Sequence, residues 1–178
     1  ALIWEEEELY AGLAKANWMG RLETLREEPL TIIDAAHNPE GMASLGAYLA
    51  EHYSDHQITV FFSALQDKAI EQMLVSLQGK IDKLIFTQFD FPRVATAESN
   101  LKTWETLSQE SAMSNQAVSI DGKGSKPEPK TMVAADWYQA YQEELKLFEK
   151  LAEIEKKKQL FLFTGSLYFV SEVRNRLM

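Results

Sequence analysis

The chain has 178 residues, 46% hydrophobic and 25% charged, with no cysteine and a formal charge of −9. That length and composition suit one soluble globular domain with a real core. The missing thiol excludes disulfides and thiolate catalysis and fits a reducing cytoplasm; the acidic balance argues against a nucleic-acid binder; and no apolar run approaches the roughly 18 residues that span a membrane.

Residues 1–17 read as a helix, with Glu5 to Glu8 solvated and Leu9, Leu13 and Ala16 recurring beside them. The opening Ala-Leu-Ile-Trp lacks Met, so 1–17 is expected to be the tail of an interdomain segment and 18–178 the domain. Gly20 to Arg26 predicts a strand or hairpin, and Glu27-Glu28-Pro29 a turn. Leu30-Thr31-Ile32-Ile33 is a run of strand formers that meets Asp34, two alanines, His37 and Asn38-Pro39. Asn38 can cap a helix and Pro39 suits its first position. A buried strand therefore ends in a tight turn that opens a helix. Asp34 and His37 stand at the carboxyl end of that strand, where α/β sheets place ligands.

The helix over 39–53 carries Met42, Leu45, Leu49 and Tyr53 on one face. Ile58 to Phe62 predicts a strand buried on both faces. Asp67 is a candidate cap for a helix bearing Ile70, Met73, Leu74 and Leu77, with Gly79 at its end. Lys83 to Gln88 is a third strand, and Phe89 to Ala95 a loop around Pro92. Thr96 starts a helix with Leu101, Trp104 and Leu107 inside. Ala117 to Ile120 is a candidate edge strand, and Asp121 to Lys130 a linker-like stretch expected to be mobile. Met132 to Lys158 reads as one long helix with Trp137, Tyr141, Leu145 and Phe148 in the core. Gln159 to Phe163 is the last central strand, and Ser166 opens the last helix. This alternation predicts an α/β fold with parallel strands and helices on both faces.

Two patterns carry little. Gly122-Lys123-Gly124-Ser125 lacks the spacing and preceding strand of a phosphate loop. His52 and His56 have a metal-compatible spacing, yet the helix ends near Tyr53 and no third ligand is evident.

Three motifs follow one another along the chain: Trp18-Met19-Gly20-Arg21-Leu22-Glu23, Asp34-Ala35-Ala36-His37-Asn38-Pro39 and Thr164-Gly165-Ser166-Leu167-Tyr168. They resemble the W-x-G-R-x-E, D-[GA]-A-H-N-P and T-G-S-x-Y patterns of the C-terminal domain of folylpolyglutamate synthases, the folate branch of the Mur ligase family. Asp67-Lys68 and Phe91-Pro92-Arg93 also stand where that family often has a D-K pair and an aromatic-Pro-Arg turn. The stretch from about Ser114 to Lys158 is least typical, and position 35 is Ala where Gly is frequent.

The resemblance implies a Rossmann-like, mostly parallel sheet of about six strands. It also implies an ATP-dependent amide ligation in a cytoplasmic, monomeric enzyme. ATP phosphorylates the γ-carboxylate of a folate, the amine of L-glutamate attacks the acyl phosphate, and a tetrahedral intermediate expels phosphate. The Mg²⁺-bound triphosphate would sit on the phosphate loop of an N-terminal ATPase domain. This chain has no such loop, so the isolated domain is expected to be inactive. By the same resemblance Arg21 would reach the phosphates, Asp34 the ribose, and His37 and Ser166 the glutamate. Asn38 and Gly165 would support them, with no nucleophile and no metal ligand supplied here.

Read as residues alone, each has a structural alternative. Arg21 pairs with Glu23 at the surface; Asp34 and His37 stabilise the turn; Asn38 and Ser166 cap helices. Two functional alternatives also stand: a dihydrofolate synthase or bifunctional enzyme on the same fold, and a non-catalytic nucleotide-binding α/β module. A phosphate loop encoded upstream would separate ligase from module.

Overall fold

The computed structural model describes residues 18–113, 126–152 and 157–178. The predicted helix over 1–17, the candidate strand Ala117 to Ile120 and the Gly122–Ser125 stretch lie outside the described residues. The strands are β1 (Glu23–Glu27), β2 (Leu30–Ile33), β3 (His56–Phe62), β4 (Lys83–Thr87), β5 (Lys130–Ala134) and β6 (Lys158–Thr164). The helices are α1 (Pro39–His52), α2 (Ile70–Val75), α3 (Ala97–Met113), α4 (Trp137–Ala152) and α5 (Leu167–Leu177). Among the described residues, no helix is long and apolar enough to cross a membrane.

One six-stranded sheet runs β1-β2-β6-β3-β4-β5. Its strands are parallel except β1, which pairs antiparallel with β2. This is the mostly parallel α/β sheet expected from the alternation. Successive side chains of a strand point to opposite faces, so β3 and β6 each feed two cores. Ile58, Val60, Phe62, Leu160 and Leu162 face α1, α2 and α3, where Met42, Leu49, Met73 and Trp104 meet them. Phe61, Phe161 and Phe163 face α4 and α5, with Trp137, Tyr141, Phe169 and Val173. The second core is an aromatic cluster: Phe61 and Phe163 stack at 4.5 Å, and Tyr141 meets Phe163 edge-on at 5.3 Å. The Tyr141 hydroxyl ends 3.0 Å from Thr31 Oγ1, so its polar tip is satisfied inside the core.

The fold departs from the sequence reading between Ser114 and Lys158. Met132 to Lys158 is not one helix: Lys130–Ala134 is the edge strand β5, and the helix starts only at Trp137. Asp136 marks the break, because its Oδ1 accepts the N–H groups of Tyr138 and Gln139 at 2.8 and 3.0 Å. The expected mobility of Asp121 to Lys130 is also overturned over its described part. Lys126 Nζ donates to Asp82 Oδ2 at 2.5 Å and to the His56 carbonyl at 2.6 Å, and Pro129 is buried. Glu128 accepts from the indole N–H of the buried Trp104 at 2.9 Å and from Ser108 at 2.5 Å. Asp67 is not a helix cap either. Ala69 occupies that position without a side-chain bond, and Asp67 lies 3.9 Å from Arg93.

Two outcomes follow for stability. Glu128→Ala is expected to leave the Trp104 N–H without its acceptor and cost about 1 kcal/mol or more, a fall in Tm of roughly 2–4 °C by calorimetry. An unchanged Tm would show that the strap before β5 does not hold α3. At the same amino-terminal edge of the sheet, the hydrogen bonds from Lys158 and His56 hold the Asp55 carboxyl at about 2, below its ordinary 3.8. A depressed carboxylate stabilises the fold above its unfolded pKa and loses that effect as the pH falls toward its folded value. Acid titrations of wild type and Asp55→Asn are therefore expected to diverge above about pH 4 and converge toward pH 2.

Candidate functional site

β2 ends at Ile33, and the backbone N–H of Asp34 still bonds to the Phe163 carbonyl of β6 at 3.0 Å. Asp34 thus leaves the sheet at the carboxyl edge of two neighbouring parallel strands. Its side chain is only 7% exposed. Oδ1 accepts the N–H of Ala36 at 2.9 Å and Oδ2 accepts the N–H of Leu22 at 2.9 Å. A buried carboxylate persists only when its lone pairs are met by donors, and here two backbone amides meet it.

The Leu22 contact exists because β1 is antiparallel. Glu23 at the start of β1 stands opposite Ile33 at the end of β2, so the turn before β1 arrives at the ligand-prone edge. The Ala35 N–H donates to the Gly20 carbonyl at 2.7 Å. Glu23 accepts the Gly20 N–H at 2.7 Å and Arg174 Nε of α5 at 3.0 Å. Arg21 is exposed, and among the described residues its side chain has no ion-pair or hydrogen-bond partner. The Arg21–Glu23 pair considered from the sequence is therefore not formed; Glu23 takes Arg174 instead.

The third motif closes the same knot. Gly165 donates its N–H to the Ala36 carbonyl at 3.1 Å, and Thr164 Oγ1 approaches the same oxygen at 3.5 Å. Gly165 holds φ +107°, and a Cβ there would stand 2.6 Å from the Ser63 carbonyl oxygen and 2.9 Å from the Phe62 ring. Only glycine fits a backbone so bent and so close to its neighbour. Ser166 is the N-cap of α5 in extended conformation, 2% exposed, with no side-chain cap bond. Asn38 does cap its helix: its Oδ1 accepts the Gly41 N–H at 2.8 Å, with Pro39 in the first turn.

His37 is half-buried, and its Nδ1 lies 2.7 Å from the Ala35 carbonyl. A carbonyl can only accept, so this ring nitrogen carries a proton. Beside these loops, Phe91 stacks on the half-exposed Tyr168 at 4.5 Å, and the Arg93 guanidinium lies 5.8 Å from the centre of the Phe91 ring. The structure thus brings Arg21, Asp34, His37, Asn38, Gly165 and Ser166 to one edge. The sequence reading missed Glu23 and Arg174 as the pair that secures the turn. The glutamate was visible in the W-x-G-R-x-E pattern, but nothing local marked its partner. Among the described residues no three His, Asp or Glu side chains come together as metal ligands.

The family model described as Mur ligase, glutamate ligase domain matches residues 20–167. The chain belongs to that family. This Mur ligase domain is 34% identical over 175 residues to the dihydrofolate synthase/folylpolyglutamate synthase of Bacillus subtilis, covering 97% of this chain and 33% of that protein. It superposes on the folylpolyglutamate synthase of Mycobacterium tuberculosis, solved with ADP and AMPPCP. The TM-score is 0.76 at 23% identity, covering 98% of this chain and 35% of that one. A bifunctional folylpolyglutamate synthase/dihydrofolate synthase solved with Mn, AMPPNP and L-glutamate gives a TM-score of 0.67 at 21% identity, with 99% and 36% covered. The domain therefore spans about a third of the length of these relatives.

Gly165→Ala tests the knot. The forced clash and the unfavourable φ are expected to cost about 3 kcal/mol or more in urea denaturation. A loss under 1 kcal/mol would show that the turn can re-form around a methyl group.

Proposed function

We propose that this domain is the C-terminal, closing part of an ATP-dependent ligase that joins L-glutamate to the γ-carboxylate of a folate through an acyl phosphate. One observation carries the reading: three separate motifs of the chain are laced into a single edge that displays an unpaired Arg21 beside Asp34. The guanidinium offers a planar, permanently charged fork to phosphate oxygens. Asp34 has spent one acceptor site on each carboxylate oxygen. The remaining lone pairs are free in number to accept ribose hydroxyls. The backbone N–H groups and hydroxyl of Ser166 at the start of α5 favour a carboxylate, and His37 completes that side of the cleft.

No side chain here acts as a nucleophile in this scheme. The domain contributes charge and orientation when it closes on the rest of the enzyme. The phosphate loop and the ligands of the triphosphate's Mg²⁺ would come from an N-terminal ATPase domain. The isolated domain then ligates nothing, and the working enzyme is a cytoplasmic monomer. Dihydropteroate stands as a second acceptor, favoured by the dual designation of the Bacillus subtilis relative. The residues that choose the acceptor would lie outside this chain.

Asp34→Asn is a poor test on its own. An amide would turn an NH₂ toward one of two backbone N–H groups, so the turn and the ligand contact would fail together. The cleaner variable is the nucleotide. In the intact wild-type ligase, 2′-deoxy-ATP and 3′-deoxy-ATP are each expected to lose about ten- to a hundredfold in kcat/KM against ATP. Each lacks a hydrogen bond to a charged acceptor, worth roughly 1.5–3 kcal/mol. Equal use of ATP and both analogues would leave Asp34 a turn residue and remove the ribose assignment.

A further inference from the structure

We infer that Arg174 is a positioning residue for the same nucleotide site. By occupying Glu23 it keeps Arg21 from folding back, and so leaves the Arg21 guanidinium free for phosphate. The inference rests on the reading of Arg21 as the phosphate contact.

Arg21 lies between two residues in the left-handed region, Gly20 at φ +69° and Leu22 at φ +45°. For leucine this conformation is strained, and it persists only where surrounding bonds over-determine it. Those bonds are on both sides of Arg21. The Gly20 N–H is held by Glu23 at 2.7 Å and the Leu22 N–H by Asp34 at 2.9 Å. The Arg21 N–H itself closes the turn on the Trp18 carbonyl at 3.1 Å. Two carboxylates therefore fix the backbone that presents one arginine.

That arrangement carries a hazard. Glu23 is an acid two positions from Arg21 in the same turn, and an opposite charge that near is the natural partner for a guanidinium. In the structure Glu23 is paired with Arg174 instead. Arg174 Nε reaches both carboxylate oxygens, at 3.0 and 3.2 Å. The two side chains are 11% and 29% exposed, so the pair is largely withdrawn from water. Arg174 comes from α5, whose first turn begins at Ser166 and whose Val170 would contact a Cβ on Gly20 at 3.3 Å. One helix thus backs the glutamate end of the cleft and supplies the counter-charge that releases Arg21.

The test uses the intact ligase and steady-state kinetics, with Tm recorded for every variant. Arg174→Met is expected to raise the KM for ATP roughly tenfold, the loss of one charged hydrogen bond, while the KM for glutamate moves little. Glu23→Gln removes the competing charge and keeps one acceptor for the Gly20 N–H, and it serves as the background for a double variant. Added to Arg174→Met it is expected to restore most of the loss. Arg174→Lys, which keeps a cation beside Glu23, stays within about twofold of wild type, since the carboxylate is still occupied by a positive charge. A double variant no better than Arg174→Met would make the pair merely structural and overturn the inference. If Arg174→Met does not fold, Arg174→Gln, which also removes the cation, takes its place in both comparisons with the same expected and overturning results. Arg21→Met separates the two claims. If it leaves the KM for ATP unchanged, the phosphate reading falls and takes this inference with it. If it raises that KM and Arg174→Met does not, only the inference falls.

Discussion

The Asp34 carboxylate is the interaction on which the edge of the domain depends. It sits at the end of a strand, almost out of water, and its two oxygens are shared between the turn before β1 and the turn after β2. A neutral side chain of the same size could not serve both, because each contact needs an acceptor and an amide supplies only one. From this anchor the rest follows by contact. Ala35 secures Gly20, Ala36 secures Gly165, and Glu23 ties the first turn to the last helix. The residue proposed to hold the ribose is thus also the one that builds this edge.

Topology explains why such a compact knot is available. A parallel strand delivers its following loop to the carboxyl edge, so β2 and β6, as neighbours, bring Asp34 and Ser166 together. A loop that precedes a parallel strand lies at the opposite edge. Reversal of β1 is what moves the Arg21 turn to the working side. The two hydrophobic cores reach this edge through Ala35, Ala36 and Val170. They fix the strands in register, and the edge inherits their rigidity.

Much of this was legible in the residues. The run Leu30 to Pro39 announced strand, turn and capped helix, because β-branched residues, an Asn cap and a first-turn proline each act locally. Thr96 likewise caps α3, its Oγ1 accepting the Ser99 N–H at 3.1 Å. Strand β5 was hidden for an equally physical reason. Thr131-Met132-Val133-Ala134 is short and joins a strongly amphipathic helix, so the helical period absorbed it, although Asp136 held the stop signal. The strap before it misled in the other direction. Its prolines, lysines and glutamate have a linker's composition, but Lys126 and Glu128 find buried or half-buried partners on distant elements. The same limit applied at the site. Each motif was readable, but the Glu23–Arg174 bond joins positions 151 apart, and no local pattern reports it.

That separation has a consequence for biosynthesis. The strand that fills the middle of the sheet, β6, and the helix that locks the first turn, α5, come last in this stretch of chain. Strands β2 and β3 cannot share a sheet until β6 slots between them, so the β1–β2 pair and the β3–β4–β5 group stay separate while they leave the ribosome. Contacts between such distant positions cost much chain entropy before they return any stabilisation, and folding that waits on them is slow. The facing edges of β2 and β3 are then unpaired during synthesis, a hazard for aggregation that ends when β6 emerges. The domain completes its sheet with β6 and locks its arginine-bearing turn with α5, both late, and a nascent chain cut off before Arg174 lacks the bond that holds that turn.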